Sequence, residues 1–324
     1  NRSITLHSRD GTNDLLLSGN RVHYGTAGAA VHMVDVEGRN YRDSTVQDLH
    51  DAAHICDQLD NIHFVQRPMV CRDIPDNLEM DLNSIYATTA GTTKHVGVSF
   101  CEPSHVAPAM ELLHLIAGGE DKWRERPFVS NSNCFVVPPM KFATESCEVM
   151  EECIKHGMPV LLLSAGMAGA TAPSTIAGAI TQAVAECLAG LVYVNAVSPG
   201  APAIFGTWPF GLDLRTGAMT GGSDEAAVAN TAAAQLLLNL GLLSTVSAGM
   251  TDAKTADAQS GYEKGYTIAL AAQGGADMTN LSVGMLGSIM AASKEALVID
   301  NDMCGAIPRS VRGVEMSDGA IDLE

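Results

Sequence analysis

The sequence predicts an α/β fold, a closed (β/α)8 TIM barrel occupying residues 1–324 as a single domain, and three observations carry that expectation. Eight short strand-like runs begin near Val22, Ile62, His95, Pro127, Pro159, Pro202, Ser244 and Met278. Their starts lie 32 to 43 residues apart, the longest step being Pro159 to Pro202. That spacing leaves room for a crossover helix between parallel strands. Neither G-x-G-x-x-G nor G-x-x-x-x-G-K occurs. Such a phosphate loop usually announces the doubly wound open sheet, which is the alternative arrangement of the same units.

Taken in order, the first strand is VHYGTA from Val22. Residues 31–43, VHMVDVEGRNYRD, alternate around Glu37–Gly38 and read as a small hairpin inserted in the first loop, either functional or a surface excursion. A helical pattern then covers Thr45–Leu59. Strand two is IHFVQ; strand three, HVGVSF, precedes a helix over Ala107–Ile116. Strand four, PFVSNS, leads into the long loop NSNCFVVPPMKFAT and a helix over Ser146–Lys155. Long loops at that end of a barrel tend to carry function.

Residues 159–206 contain a single charge, Glu186. A membrane span needs roughly 20 apolar residues without a break, but Gly166, Gly169, Pro173, Pro199, Gly200 and Pro202 interrupt this run. It reads as strand five (PVLLLS), a helix that Ser174 could cap, and strand six (PAIFGTW), apolar because all three are covered. Ile176, Ile180, Val184, Leu188 and Leu191 follow the helical period. Helices over Asp224–Leu240 and Asp257–Gln273 flank strand seven, STVSAGM, and strand eight is MTNLSVGM.

Apolar residues make up 46% of the chain and charged residues 17%, enough to bury a sizeable core. A net charge of −18 argues against nucleic acid as a partner. None of the eight cysteines forms a C-x-x-C pair, so zinc and disulfide frameworks are not expected, and free thiols suit a cytoplasmic protein. The first residue is Asn and residues 1–20 carry no signal-type apolar core, so the sequence is read as an excerpt of a longer chain, with neither membrane nor nucleic acid among its partners.

In a barrel the active site collects the C-terminal ends of the strands. Those ends supply Tyr24, Thr26, Gln66, Glu102, Asn131, Asn133, Ser164, Thr207, Trp208, Thr251, Asp252, Lys254, Asn280 and Ser282. The set is polar, nearly free of positive charge and without His, so no metal site is expected. Leu162–Gly166 (LLSAG) is a poor nucleophile elbow, and no His follows His156, as the hydrolase order would require. Lys254 could form a Schiff base if burial lowered its pKa, or pair with Asp252 or Asp257. Trp208 could join Tyr24, Phe205, Phe210 or Tyr262 in a cage for a quaternary ammonium, or simply pack at the rim. Glu102 and Asp252 would suit a cation there.

The stretch PSTIAGAITQAVAECLAGLVYVNAVSPGAPAIFG resembles the trimethylamine methyltransferase family, the corrinoid-dependent methylamine demethylases. PPMKF, DLRTGAM at 213–219 and SAGMTDAKTADAQSGYEKG at 247–265 agree in the right order. The resemblance implies a (β/α)8 methyltransferase barrel that moves a methyl group from a methylated amine to the cobalt of a separate corrinoid protein. It therefore implies no permanently bound cofactor, a cognate corrinoid partner and a chain shorter than other members. Archaeal members use pyrrolysine; only standard residues occur here, which implies a quaternary-amine enzyme such as a glycine betaine demethylase. On this expectation Trp208, Tyr24, Glu102 and Asp252 bind the cation. Gln66, Asn131, Asn133, Thr207, Thr251 and Lys254 line the remainder, with Thr251 and Asp252 positioning the substrate. A homo-oligomer is expected. A Schiff-base lyase using Lys254 and a non-catalytic amine-binding protein remain the alternatives.

Overall fold

The computed structural model describes residues 3–19, 21–35 and 40–315. Eight parallel strands close into a barrel: β1 (His23–Thr26), β2 (Phe64–Gln66), β3 (His95–Val98), β4 (Val129–Asn133), β5 (Val160–Ser164), β6 (Ala203–Thr207), β7 (Ser244–Val246) and β8 (Met278–Thr279). Each pairs in parallel with its sequence neighbours, and β8 closes on β1 through Met278↔His23 and Thr279↔Tyr24. The open-sheet alternative is excluded. The strand starts were legible, but β8 is shorter than MTNLSVGM suggests: Met285–Leu286 leaves the barrel for another sheet.

The helices sit where capping chemistry starts them. Thr45 caps α1 (Val46–Asp57) in a box with Asp48, and Asp76 caps α2 (Asn77–Gly91). Then follow α3 (Val106–Ala117), a short helix at Glu120–Glu125, and α4 (Thr144–Lys155). Thr175, not Ser174, caps α5 (Ile176–Val197) by accepting from the Gly178 N–H. Ser223 caps α6 (Asp224–Asn239), Asp257 caps α7 (Ala258–Gln273) and Ser293 caps α8 (Lys294–Arg312).

By length and composition α5 could cross a membrane, yet it packs on β5 and β6 as a barrel helix. Its buried face runs through Ile180, Val184, Cys187, Gly190 and Val194, while Leu188 is exposed, so the burial stripe lies about one residue off the predicted one. The lone charge, Glu186, is buried beneath the loop after β4. It accepts from Ser164 Oγ at 2.5 Å, the Met140 N–H at 2.8 Å and Gln182 Nε2 at 3.1 Å.

The hairpin read at 31–43 is present as His32–Asp35 paired antiparallel with Asn40–Asp43; its Glu37–Gly38 turn lies outside the described residues. It does not stand alone. Ala291–Ala292 pairs with His32–Met33, so the loops after β1 and β8 share one four-stranded sheet over the C-terminal end of the barrel. Arg42 fastens that sheet to α1 with two bonds of 2.6 Å to Asp48. Burial alone would raise the Asp48 carboxyl; Arg42 and Thr45 instead hold it at about 2.

Candidate active site

Alternation along the strands decides which side chains face the barrel axis. Phe64, His95, Leu161, Ile204 and Met278 fill the lower interior and leave a void of about 10 Å³. Above them lies a polar layer. Thr245 Oγ1 donates to Asn280 Oδ1, Asn280 Nδ2 to Gln66 Oε1, and Gln66 Nε2 to Ser132 Oγ at 2.6 Å. This chain ties β7, β8, β2 and β4 across the interior and fixes the Gln66 amide. Leu163 fills the same level because β6 carries Gly206 beside it: a Cβ there would meet Leu163 Cδ2 at 2.2 Å.

The layer floors a cavity of about 350 Å³ at the C-terminal ends of the strands. One wall is apolar and aromatic: Leu163, Ala165, Trp208, Phe210, Leu281 and Ile289. Trp208 is placed by its N–H to the Ser164 carbonyl at 2.9 Å, and Phe210 by its N–H to the Gly166 carbonyl at 3.0 Å. The other wall holds Arg67, Ser99, Phe100, Asn131 and Asn133. Leu281 (φ 65°) and Ile289 (φ 69°) are left-handed, a costly conformation for side chains of this shape, and such strain clusters at functional sites.

Unpaired polar atoms concentrate here. Asn131 is 1% exposed, yet neither its Nδ2 nor its Oδ1 has a partner among the described residues. Trp208 Nε1, Arg67 Nε and Asn133 Oδ1 are likewise buried and unpaired, although Asn133 Nδ2 reaches the Ser146 carbonyl at 2.8 Å. A buried unpaired donor or acceptor costs about 1–3 kcal/mol. Asn131 and Asn133 alternate with Ser132, whose Oγ faces the axis, so their amides point toward the helix layer, while Arg67 and Trp208 follow their strands at the cavity.

Of the expected site residues, Gln66, Asn131, Asn133 and Trp208 meet at this cavity. Others do not. Tyr24 is fully buried, but its ring stacks obliquely on His63 at 5.7 Å and lies near Cys304 of α8. It faces the helix layer, because Gly25 is the β1 residue that faces the axis, beside the Phe64 ring. Thr207 alternates outward in the same way, one residue before Trp208. Phe205 packs with Ile180 and Val184 of α5, and Tyr262 is 61% exposed on α7. The aromatic set at the cavity is therefore Trp208, Phe210 and Phe100.

The β7 loop has a structural duty. Thr251 Oγ1 and the Asp252 N–H both donate to the buried Glu263 of α7, at 2.5 and 2.8 Å. Asp252 Oδ1 in turn accepts from the Gly221 N–H at 3.0 Å and from Ser288 Oγ, joining the loops after β6, β7 and β8. Lys254 is exposed and donates to the Asp252 carbonyl at 3.0 Å, not to the carboxylate of Asp252 or Asp257. Glu102 has a 56% exposed side chain, 3.9 Å from His105. None of these four lines the cavity.

Arg67 and Phe100 were missed because each sits one or two residues past a strand end, where no period fixes direction. Nearby, the Cys101 thiol is pushed up to about 11 by burial and by Asp81, with Arg67 opposing. It stays protonated at neutral pH.

A larger cavity, about 870 Å³, opens at the opposite end of the barrel. Much of its polar lining is engaged by the fold. Lys94 Nζ is held by the carbonyls of Cys56, Leu59 and Ile62 at 2.6–2.7 Å, and Asp57 by Thr92 and Thr93. Barrel chemistry sits at the C-terminal face, so the smaller cavity is the candidate.

Comparison with known proteins places the chain in a family. The family model described as trimethylamine methyltransferase (MTTB) matches residues 1–324. Trimethylamine methyltransferase MttB from Desulfitobacterium hafniense (strain DSM 10664 / DCB-2) is 30% identical, over 99% of this chain and 64% of its own length. MttB2 from Methanosarcina mazei is 32% identical, over 95% of this chain and 62% of its own. A glycine betaine methyltransferase from Desulfitobacterium hafniense (strain Y51) is 29% identical over 96% and 64%. The chain thus spans under two thirds of the length of these relatives. Dihydropteroate synthase from Xanthomonas albilineans, 13% identical with a TM-score of 0.54 over 95% of this chain and 99% of its own, shares the fold. The chain belongs to the trimethylamine methyltransferase family.

Proposed function

We propose that this barrel transfers a methyl group from a small quaternary or tertiary methylamine to the Co(I) of a separate corrinoid protein in the cytoplasm. The observation that carries it is the cavity itself: one aromatic and apolar wall, one polar wall, and, among the described residues, no carboxylate, imidazole or lysine in its lining. A quaternary ammonium suits the first wall, since Trp208 and Phe210 there are aromatic partners for a cation without N–H groups.

When the partner docks, its corrinoid supplies the methyl acceptor. The βα loops around the mouth fit a broad apolar group, exposing Val137 (54%), Met140 (62%), Leu214 (85%) and Met290 (53%). The barrel's own tasks are to orient one N-methyl toward that mouth and to exclude water. The C–N bond breaks with its electron pair passing to nitrogen, so a quaternary donor departs as a neutral tertiary amine. For a quaternary donor no proton moves and the lining needs no general acid or base; a tertiary amine would have to be protonated before its methyl leaves, so that it departs as a neutral secondary amine.

The test is methylation of Co(I) cobalamin by the full-length protein, scanned over methylated amines and followed by absorbance. At least one quaternary or tertiary methylamine is expected to methylate cobalt in an enzyme-dependent way. Transfer from none, with cobalamin or with the native corrinoid protein, would refute the proposal.

A further inference from the structure

We infer that Ile289 sets the limit on the size of the alkyl groups that nitrogen can carry into the cavity, and that Asp252 is the positioning residue that holds Ile289 in the wall. This rests on the cavity being the substrate site, as proposed above.

The backbone is strained where Ile289 stands. Met285–Leu286 and Ala291–Ala292 pair antiparallel, and the turn between them runs through Gly287 (φ 57°), Ser288 (φ 54°) and Ile289 (φ 69°). Glycine adopts this left-handed region freely, but a β-branched side chain there is an outlier. Such a conformation persists only where the surroundings over-determine it, and it clusters at functional sites. Ile289 lines the cavity, so the strain and the site coincide.

The surroundings that hold the turn belong to the loop after β7. The Gly287 N–H donates to the Ala253 carbonyl and the Ser288 N–H to the Thr251 carbonyl, both at 2.8 Å. Ser288 Oγ donates to Asp252 Oδ1. The same oxygen accepts from the Gly221 N–H at 3.0 Å, and the Asp252 N–H is fixed at 2.8 Å by the buried carboxylate of Glu263. Asp252 thus joins the loops after β6 and β7 to the strained turn. It lies outside the cavity lining and acts through Ile289, not on the ligand.

In the wall, Ile289 stands with Leu163, Trp208 and Phe210, the surface proposed to receive the ammonium. A hydrophobic pocket discriminates by volume, and one methylene changes binding by about tenfold or more. A turn free to move would yield to a larger alkyl group, whereas a clamped one rejects it. N-methyl is thereby chosen over N-ethyl, whatever the rest of the amine carries.

The experiment is calorimetric titration of the full-length protein with two pairs of ligands. These are tetramethylammonium against triethylmethylammonium, and trimethylglycine against N,N,N-triethylglycine. The wild type is expected to bind the methyl member of a pair about tenfold tighter or more. Ile289→Ala, which removes Cγ1, Cγ2 and Cδ1, should bring the two members to within about threefold of each other. Asp252→Ala should lower the ratio in the same direction. Asp252→Asn, which keeps an Oδ1 acceptor for both donors, should retain it. Ser288→Ala loses only a hydroxyl and should lower the ratio by a smaller factor, which keeps the test decisive if Asp252→Ala fails to fold. A ratio that neither Ile289→Ala nor Ser288→Ala changes would overturn the inference. An Asp252→Asn that falls with Asp252→Ala would overturn the positioning role, because charge and not the acceptor would then matter. Methyl transfer that persists beside an unchanged ratio would remove this inference alone. A wild type that binds no member of either pair would remove the proposed function with it.

Discussion

Trp208 stands where β6 ends, 6% exposed, with its indole edge unpaired and its ring in the cavity wall. A desolvated cation–π contact contributes about 2 kcal/mol, so Trp208→Ala should weaken trimethylammonium binding roughly thirtyfold. A neutral tert-butyl analogue should lose much less. Equal weakening of both in a calorimetric comparison would make Trp208 a packing residue. At this scale the sequence was partly legible. Gln66, Asn131, Asn133 and Trp208 lie at strand ends of a barrel, and strand ends were predictable from spacing. Tyr24 and Thr207 lie at strand ends too, but a period of two places neighbours on opposite faces, and four-residue strands give too little pattern to fix the phase. Arg67 and Phe100 lie beyond the strands, where direction follows from loop packing.

At the scale of elements, β2 and β3 begin in a layer of neutral histidines, His95 buried and His63 half-buried. His63 Nδ1 accepts the Tyr24 N–H at 3.0 Å. His95 bridges the His7 carbonyl at 2.8 Å and Ser130 Oγ at 3.0 Å, which the neutral ring does by donating through Nδ1 and accepting through Nε2. Burial holds His63 down at about 3, with His23 and Lys94 adding to it, and His95 at about 4, against 6.5 for the free side chain. The unfolded chain therefore takes up protons first as pH falls. The stabilisation is complete above about pH 7 and is lost as pH drops from about 6.5 toward 4, at up to about 1.4 kcal/mol per pH unit for each histidine. Denaturant midpoints measured at pH 7.5, 6.5 and 5.5 should fall progressively, and His95→Gln should flatten the decline; a constant midpoint would contradict it. Most helices were legible because Thr45, Asp257 and the apolar stripes mark them. The helix α2 was not, since its buried positions include Asp81, Ser84, Thr88 and Thr89, which hide the amphipathic signal. The hairpin at 31–43 was visible, but its pairing with Ala291–Ala292 joins segments some 250 residues apart along the chain, and no local pattern encodes that.

At the scale of the molecule, the closed barrel explains why a stretch as apolar as 159–206 is not a span: β5, α5 and β6 form one covered layer, and their single charge, Glu186, fastens the loop after β4 from below. The fold places two cavities at opposite ends, and the proposed chemistry belongs to the smaller one. The most direct measurement is a crystal structure of the full-length protein soaked with trimethylglycine in the absence of any corrinoid. The expected density sets the trimethylammonium against Trp208, Phe210 and Leu163 in the cavity at the C-terminal ends of the strands. Density in the cavity lined by Arg21, His23 and Lys94 instead, or trimethylglycine that binds in solution without entering the cavity at Trp208, would contradict the account.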